Sequence, residues 1–251
     1  MTELEATIIG VGAVGSKVAH CLAAMGVSES LRLYDHDKIE DKNKAAQGWP
    51  YDHVGSFKVT SLRNLLRNTL EQRVVSVPEK FTADKDLHPV VFCCPDNMEA
   101  RTAAFEAWKR IVGGAAESGR DCFFGDARMH AHSGRILAIP GNRPDLIEGY
   151  ERTLFKDGDK SELAQCANQT NFYGGMVVAG MLVRQFNEWY RTRTVSQPDV
   201  VFDFGSWTIM FPNFGTGAQD NGKAGQWVEH SQTSRVLPGE SQALYNCVST
   251  S

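Results

Sequence analysis

The chain has 251 residues, 42% of them hydrophobic and 22% charged, with a formal net charge of -4, which suits one main globular domain and supplies no basic field to draw in nucleic acid. The opening MTELEATIIG places acids ahead of a short apolar run, the reverse of a signal peptide, and no apolar stretch nears the roughly 18 residues a membrane span needs, so a cytoplasmic setting is expected. The six cysteines, Cys21, Cys93, Cys94, Cys122, Cys166 and Cys247, are scattered and form no CxxC pair, which argues against a disulfide framework and a cysteine-built zinc site.

The first element is a β-branched strand over Ala6 to Ile9. It runs into Gly10, Gly12 and Gly15 and then into an Ala-, Leu- and Met-rich helix that stops at Gly26. This is a GxGxxG turn between strand and helix: Gly10 permits the tight bend, Gly12 lets backbone approach a phosphate, and Gly15 lets helix and strand pack closely. A second strand, Leu31 to Tyr34, ends in Asp35, 20 residues past Gly15, about where an acid meets ribose hydroxyls in such folds; a loop acid capping its own turn is the alternative.

Next, a helix is expected over Val54 to Gln72, with Val54, Phe57, Val59, Leu62 and Leu65 on one side, followed by a strand at Val74 to Val77 and a continuous apolar strand in PVVFCC, residues 89–94. This alternation predicts an α/β fold with a Rossmann-like, doubly wound, mostly parallel sheet. Ligands of such sheets lie outside the carboxyl ends of the strands, and Asp35 and Asp96 both fall there. An acid in the place of Asp96 suits a metal held beside phosphates, although Asp96 and Asn97 also read as the start of a helix near Met98.

The polar spacing of YDHDKIEDKNKAAQGWPYDHVGSFK resembles the ubiquitin-activating-enzyme-like family, the ThiF, MoeB and HesA group of ATP-dependent adenylyltransferases. The positions that carry the resemblance are Asp35 and Asp37, Asn43 eight residues past Asp35, Gln47, Gly55 and Lys58, then Asp96, Asn97 and Arg101. The resemblance covers about the first hundred residues; GDARMHAHSGRILAIP further on is similar in style to bacterial and phage members of the group. It implies ATP and Mg²⁺ as cofactors, phosphates at Gly10 to Gly15, ribose at Asp35, phosphate oxygens at Asn43 and Lys58, and Mg²⁺ at Asp96. It also implies a small ubiquitin-like or sulfur-carrier protein as partner, and a homodimer. The pattern's arginine is replaced here by Ala46, so Lys42, Lys44 or a residue of another subunit would have to supply that charge. The family's amino-terminal arginine also has no counterpart ahead of the first strand.

Cys166, in the polar stretch ELAQCANQTN, is the candidate for a thioester nucleophile, whereas Cys93 and Cys94 belong to the buried strand. His130 and His132 alternate and so share a face, which reads as a surface pair more readily than as a metal site. A long helix is expected around Phe172 to Tyr190, and DVVFDFGSWTIMFP is expected to add an antiparallel edge in which Trp207 and Phe211 bury apolar area. Together these readings place a nucleotide-binding domain at residues 1–214 and a Gly- and polar-rich segment at 215–251. Three functions remain open: a carboxylate-activating adenylyltransferase, a catalytically impaired scaffold of the same fold, and an NAD-dependent oxidoreductase sharing the glycine turn and Asp35.

Overall fold

The computed structural model of the chain describes residues 4–115, 119, 121–130, 133–155 and 172–212. All of them belong to the unit Met1–Thr216; the second unit, Gly217–Ser251, and the polar segment expected over 215–251 lie outside the described residues.

Five strands run parallel: β1 (Glu5–Ile9), β2 (Ser30–Tyr34), β3 (Arg73–Val77), β4 (Val90–Cys93) and β5 (Phe123–Met129). Three more, β6 (Ser133–Pro140), β7 (Asp199–Asp203) and β8 (Thr208–Met210), continue the sheet antiparallel. The order is β3-β2-β1-β4-β5-β6-β7-β8. The progression of the chain through the sheet therefore reverses between β1 and β4, the switch point at whose carboxyl ends such sheets form their ligand crevice. This is the expected doubly wound, mostly parallel sheet with an antiparallel carboxyl extension.

Side chains alternate across the pleat, so each central strand feeds two cores. On one face Ile8, Leu33, Phe92 and Phe123 pack with residues of α1 (Gly15–Met25), α3 (Lys58–Leu70) and α6 (Phe172–Thr192). Their immediate neighbours Ile9, Tyr34, Cys93 and Phe124 face α4 (Met98–Gly114) and α5 (Pro144–Glu151) on the other side. Aromatic rings fill both layers: Phe92, Phe123, Phe186 and Trp189 in the first, Phe105, Trp108, Phe124 and Tyr150 in the second.

Two local expectations change. The third helix begins at Lys58 rather than Val54, because Gly55 takes a left-handed φ of 87° and exchanges backbone hydrogen bonds with Ile39 together with Ser56. Residues 54–57 are thereby held to the loop after β2, where Lys38 and Phe57 form a β-bridge. The burial expected of Trp207 and Phe211 is not found; they are 89% and 55% exposed. β8 is the sheet's outer edge, and Trp207 sits at φ 56° in the tight turn leading into it.

Helix α6 reaches the glycine turn through Gly175, where a Cβ would stand 2.7 Å from the Ala13 carbonyl oxygen. Gly175→Leu is accordingly expected to lower stability by about 1–3 kcal/mol through overpacking, read as a reduced urea midpoint relative to wild type.

Candidate active site

The glycine turn is shaped by backbone contacts at the switch point. Gly10 has φ 82°, its N–H donates to the Tyr34 carbonyl across 2.8 Å, and a Cβ on it would stand 2.6 Å from the Cys94 carbonyl oxygen. Only glycine meets both conditions. Gly15 opens α1 so close to the turn that a Cβ would lie 1.9 Å from the Gly10 oxygen. Gly12 is different: among the described residues a Cβ there would meet nothing nearer than Gln47 Nε2 at 3.9 Å, so these residues leave space over it. Among the described residues no side chain caps the first turn of α1; the N–H groups of Ser16 and Lys17 bond to the Gly12 and Val14 carbonyls, and the positive dipole end of the helix is a setting suited to an anion.

Asp35 lies at the end of β2 and holds the turn. Its Oδ2 accepts from Val11 N–H across 2.7 Å and its Oδ1 from Asp37 N–H across 2.8 Å. Burial pushes its pKa above the ordinary carboxylate value, against the pull of nearby Lys58 and these two N–H groups. Asp37 is more exposed and accepts from Lys58 Nζ across 2.8 Å. Lys58, the first residue of α3, is buried, so the pair ties the start of that helix to the β2 loop.

A short helix, α2 (Asp41–Gln47), crosses beside the turn. Asn43 is used locally: its Oδ1 accepts from Glu40 N–H across 2.9 Å in a capping box. Gln47 accepts from Trp49 Nε1 through its side chain and from Lys17 Nζ through its carbonyl. Lys17 was not singled out by sequence reasoning, since one lysine in a helix gives no signal. Its Nζ is 2.5 Å from the Gln47 oxygen, 3.3 Å from Ser16 Oγ and 4.7 Å from the centre of the Phe172 ring. Burial lowers its pKa to about 8. Lys42 and Lys44, the alternatives for the charge absent at Ala46, pair with Glu40 and Asp41 at the start of α2, and Lys44 lies over the Tyr51 ring.

Across the crevice, β4 ends in Cys93, followed by Cys94, Pro95 and Asp96. Asp96 is exposed, and its Oδ1 accepts from Asn97 Nδ2 across 3.0 Å. Asn97 is the N-cap of α4, accepting from Ala100 N–H across 2.9 Å. Arg101, one turn into α4, is buried; it donates to the Pro95 carbonyl across 2.5 Å, to the Ala127 carbonyl across 3.1 Å, and pairs with Asp126 on β5. Asp126 is fully buried and also accepts from Arg128 Nε across 2.7 Å and Tyr150 Oη across 3.0 Å. Burial raises the Tyr150 phenol pKa, which keeps the donor protonated. The sequence offered Asp126 and Arg128 only as part of a familiar-looking segment, with nothing to link them to Arg101.

Burial pushes the thiols of Cys93 and Cys94 up to about 12, so neither is a thiolate near neutral pH. Cys166 and His132 lie outside the described residues. His130 follows β5, its N–H donating to the Ser133 carbonyl, and burial lowers its pKa, with Arg101 and Arg128 acting in the same direction.

Gly10, Gly12, Gly15, Asp35, Asp37, Gln47 and Lys58 are thus linked through one set of contacts beside the β1 end, and Asp96 and Asn97 follow the strand next to it. An open glycine turn at the switch point of a doubly wound sheet defines a Rossmann-like nucleotide-binding architecture. The chain belongs to the ThiF family, whose model matches residues 1–219. No curated protein matches it. Among solved structures it is similar to E. coli MccB with AMPCPP and MccA (TM-score 0.63, 15% identity, 85% of this chain and 64% of that one). It is likewise similar to E. coli MccB with ATP (0.62, 14%, 84% and 64%) and to PaaA (0.61, 16%, 82% and 62%). At these identities the likeness is one of fold, and the chain spans less than two thirds of the length of each.

Asp126→Asn leaves the buried Arg101 and the partly buried Arg128 beside a neutral amide. Chemical denaturation is expected to show a loss of about 3–5 kcal/mol, the usual cost of stranding a buried charge.

Proposed function

We propose that the protein is an ATP- and Mg²⁺-dependent adenylyltransferase that activates a carboxylate, the C-terminal glycine of a small ubiquitin-like or sulfur-carrier protein. The observation that carries this reading is the uncapped glycine turn with open space over Gly12, bordered by Gln47 and by the contacts of Asp35, Asp37 and Lys58. Family membership and a fold shared with a protein solved with ATP support it.

Activation brings a carboxylate to the α-phosphate of ATP, and the two anions repel, so the site must neutralise phosphate and fix an in-line approach. Within the turn from Gly10 to Gly15, the N–H groups past Gly10 and Val11, whose own are engaged, would take phosphate oxygens, Lys58 and Asn43 would meet others, and Asp35 would accept from the ribose. Asp96 would hold Mg²⁺ with phosphate oxygens and water, the usual ligand set of that ion; its exposure, and its one hydrogen bond among the described residues, leave the carboxylate able to do so. Mg²⁺ there supplies charge neutralisation at the phosphates. Oxygen attack by the substrate carboxylate on the α-phosphorus forms the acyl adenylate and expels pyrophosphate. A later transfer to a cysteine would fall to Cys166, since Cys93 and Cys94 are held as thiols. The reading includes the homodimer implied by the family resemblance and the cytoplasmic setting expected from the sequence. A second reading, a nucleotide-binding scaffold without catalysis, is favoured by one observation: Ala46 stands uncharged where the family pattern has arginine.

Titration with ATP·Mg²⁺ and with NAD tests nucleotide class, and ATP–pyrophosphate exchange with candidate carrier proteins tests chemistry. We expect ATP·Mg²⁺ to bind and NAD not to, exchange to depend on a carrier ending in glycine, and Asp96→Ala to abolish Mg²⁺-dependent ATP binding without lowering the melting temperature. Preference for NAD would remove the adenylation reading. ATP binding with no exchange for any carrier would favour the scaffold.

A further inference from the structure

A triphosphate brings several negative charges to a crevice that already holds Asp35, Asp37 and Asp96. The cations the sequence offers for it are largely committed: Lys58 to Asp37, Arg101 to Asp126, Lys42 to Glu40 and Lys44 to Asp41. Each contributes little net charge to an incoming anion while its carboxylate stays in place. Lys17 differs, because among the described residues no carboxylate pairs with it. Its hydrogen-bond partners are a hydroxyl and a carbonyl, and its third neighbour is an aromatic ring.

We infer that Lys17 is a phosphate-binding residue of this site, placing its ammonium beside the glycine turn to meet the triphosphate and supplying the charge that Ala46 does not. The inference rests on the ATP reading above. Three placements carry it. Lys17 is in the first turn of α1, two residues past Gly15. Its Nζ is 3.3 Å from Ser16 Oγ, and that hydroxyl donates to the Gly12 carbonyl across 2.7 Å, which puts the ammonium next to the glycine that has room above it. Its other partner is the Gln47 carbonyl at the end of α2, the residue after Ala46. An ammonium has three N–H donors. Among the described residues two are used by oxygen acceptors, which leaves one for a phosphate oxygen. Phe172 packs over the amine and against Gly48, where a Cβ would stand 2.5 Å from the ring, so α6 holds the side chain in place. The depressed pKa agrees: burial without a counter-charge disfavours the ammonium, and a bound phosphate would restore it.

The test compares wild type, Lys17→Met and Lys17→Arg by calorimetric titration with ATP·Mg²⁺ and with adenosine, alongside thermal melts. The expected result for Lys17→Met is an ATP affinity about 10- to 100-fold lower, the worth of a charge-assisted hydrogen bond, with adenosine affinity unchanged. Lys17→Arg should keep most of the ATP affinity. Wild-type ATP affinity should be flat below pH 8 and fall as pH rises through about 8, the unliganded value, and this slope should vanish in Lys17→Met. The groups touching Lys17 are Ser16 of α1, the Gln47 carbonyl of α2 and Phe172 of α6, none of which titrates in that range; the nearest titratable residues along α1 and α2 are His20 and Lys44. Lys17→Met that binds ATP as wild type does, or that loses ATP and adenosine equally, overturns the inference and makes Lys17 a clamp between α1 and α2. Should Lys17→Met fail to fold, Lys17→Arg and the wild-type pH profile decide, a flat profile through pH 8 counting against it. Wild type that binds no ATP at all fells the ATP reading and this inference together, whereas binding unaffected by position 17 fells the inference alone.

Discussion

The hydrogen bond from Val11 N–H to the Asp35 carboxylate is the constraint on which the rest of the site depends. The turn is held through the N–H groups of Gly10 and Val11, whose acceptors are neighbours on β2 and just past it, so its shape is imposed from outside the turn. Asp35 fixes the turn from β2. The Gly10 N–H bond to Tyr34 fixes its start, Ser16 Oγ fixes the Gly12 carbonyl, and Gly175 of α6 closes against Ala13. These contacts come from β2, α1 and α6. The burial that raises the Asp35 pKa is the electrostatic cost of this arrangement, offset in part by Lys58 and two backbone donors.

On the far side of the crevice a similar logic runs through a buried charge. Arg101 reaches from α4 to the Pro95 carbonyl while pairing with Asp126, and Asp126 is in turn satisfied by Arg128 and Tyr150. A buried carboxylate between two guanidiniums is tolerable because every partner is hydrogen-bonded. The network joins the end of β4 to α4, β5 and α5, so the loop that carries Asp96 is anchored on the residue before it and on Asn97 after it. Asp96 itself remains exposed.

Much of this was legible in the sequence where the signal was local. The glycine turn, the strand ending in Asp35 and the apolar run of β4 each show within a dozen residues, because a buried parallel strand and a strand-to-helix turn leave dense, short patterns. The helix start at Lys58 was misjudged for the same reason in reverse: Val54 and Phe57 fit a helical stripe, but the left-handed Gly55 and its bonds to Ile39 lie outside any periodicity argument. The partners of Asp126 are spread from Arg101 to Tyr150, and no spacing rule connects an acid in a strand with an arginine on the preceding helix. Lys17 gave no signal because its meaning comes from Gln47 and Phe172, residues that only the fold brings to it. Trp207 failed differently: its composition is that of a core residue, and only the sheet order reveals that β8 is an edge.

Asp35 and Asp96 show how far residue type falls short of role. Both are aspartates just past the carboxyl end of a parallel strand, on either side of one crevice, and the sequence treats them alike. Asp35 is partly buried, accepts backbone N–H bonds at both oxygens and is held by Lys58 close by, so most of its capacity goes to shaping the turn. Asp96 is exposed and accepts one bond, from the neighbouring amide that also caps α4. A carboxylate with a backbone donor on each oxygen is less well placed to ligate a divalent ion, because the ligand bond would share an oxygen already engaged. A carboxylate with an unengaged oxygen at the solvent boundary carries no such penalty, and that difference in prior commitment, set by the backbone around each acid, separates a residue that builds the site from one that remains available to use it.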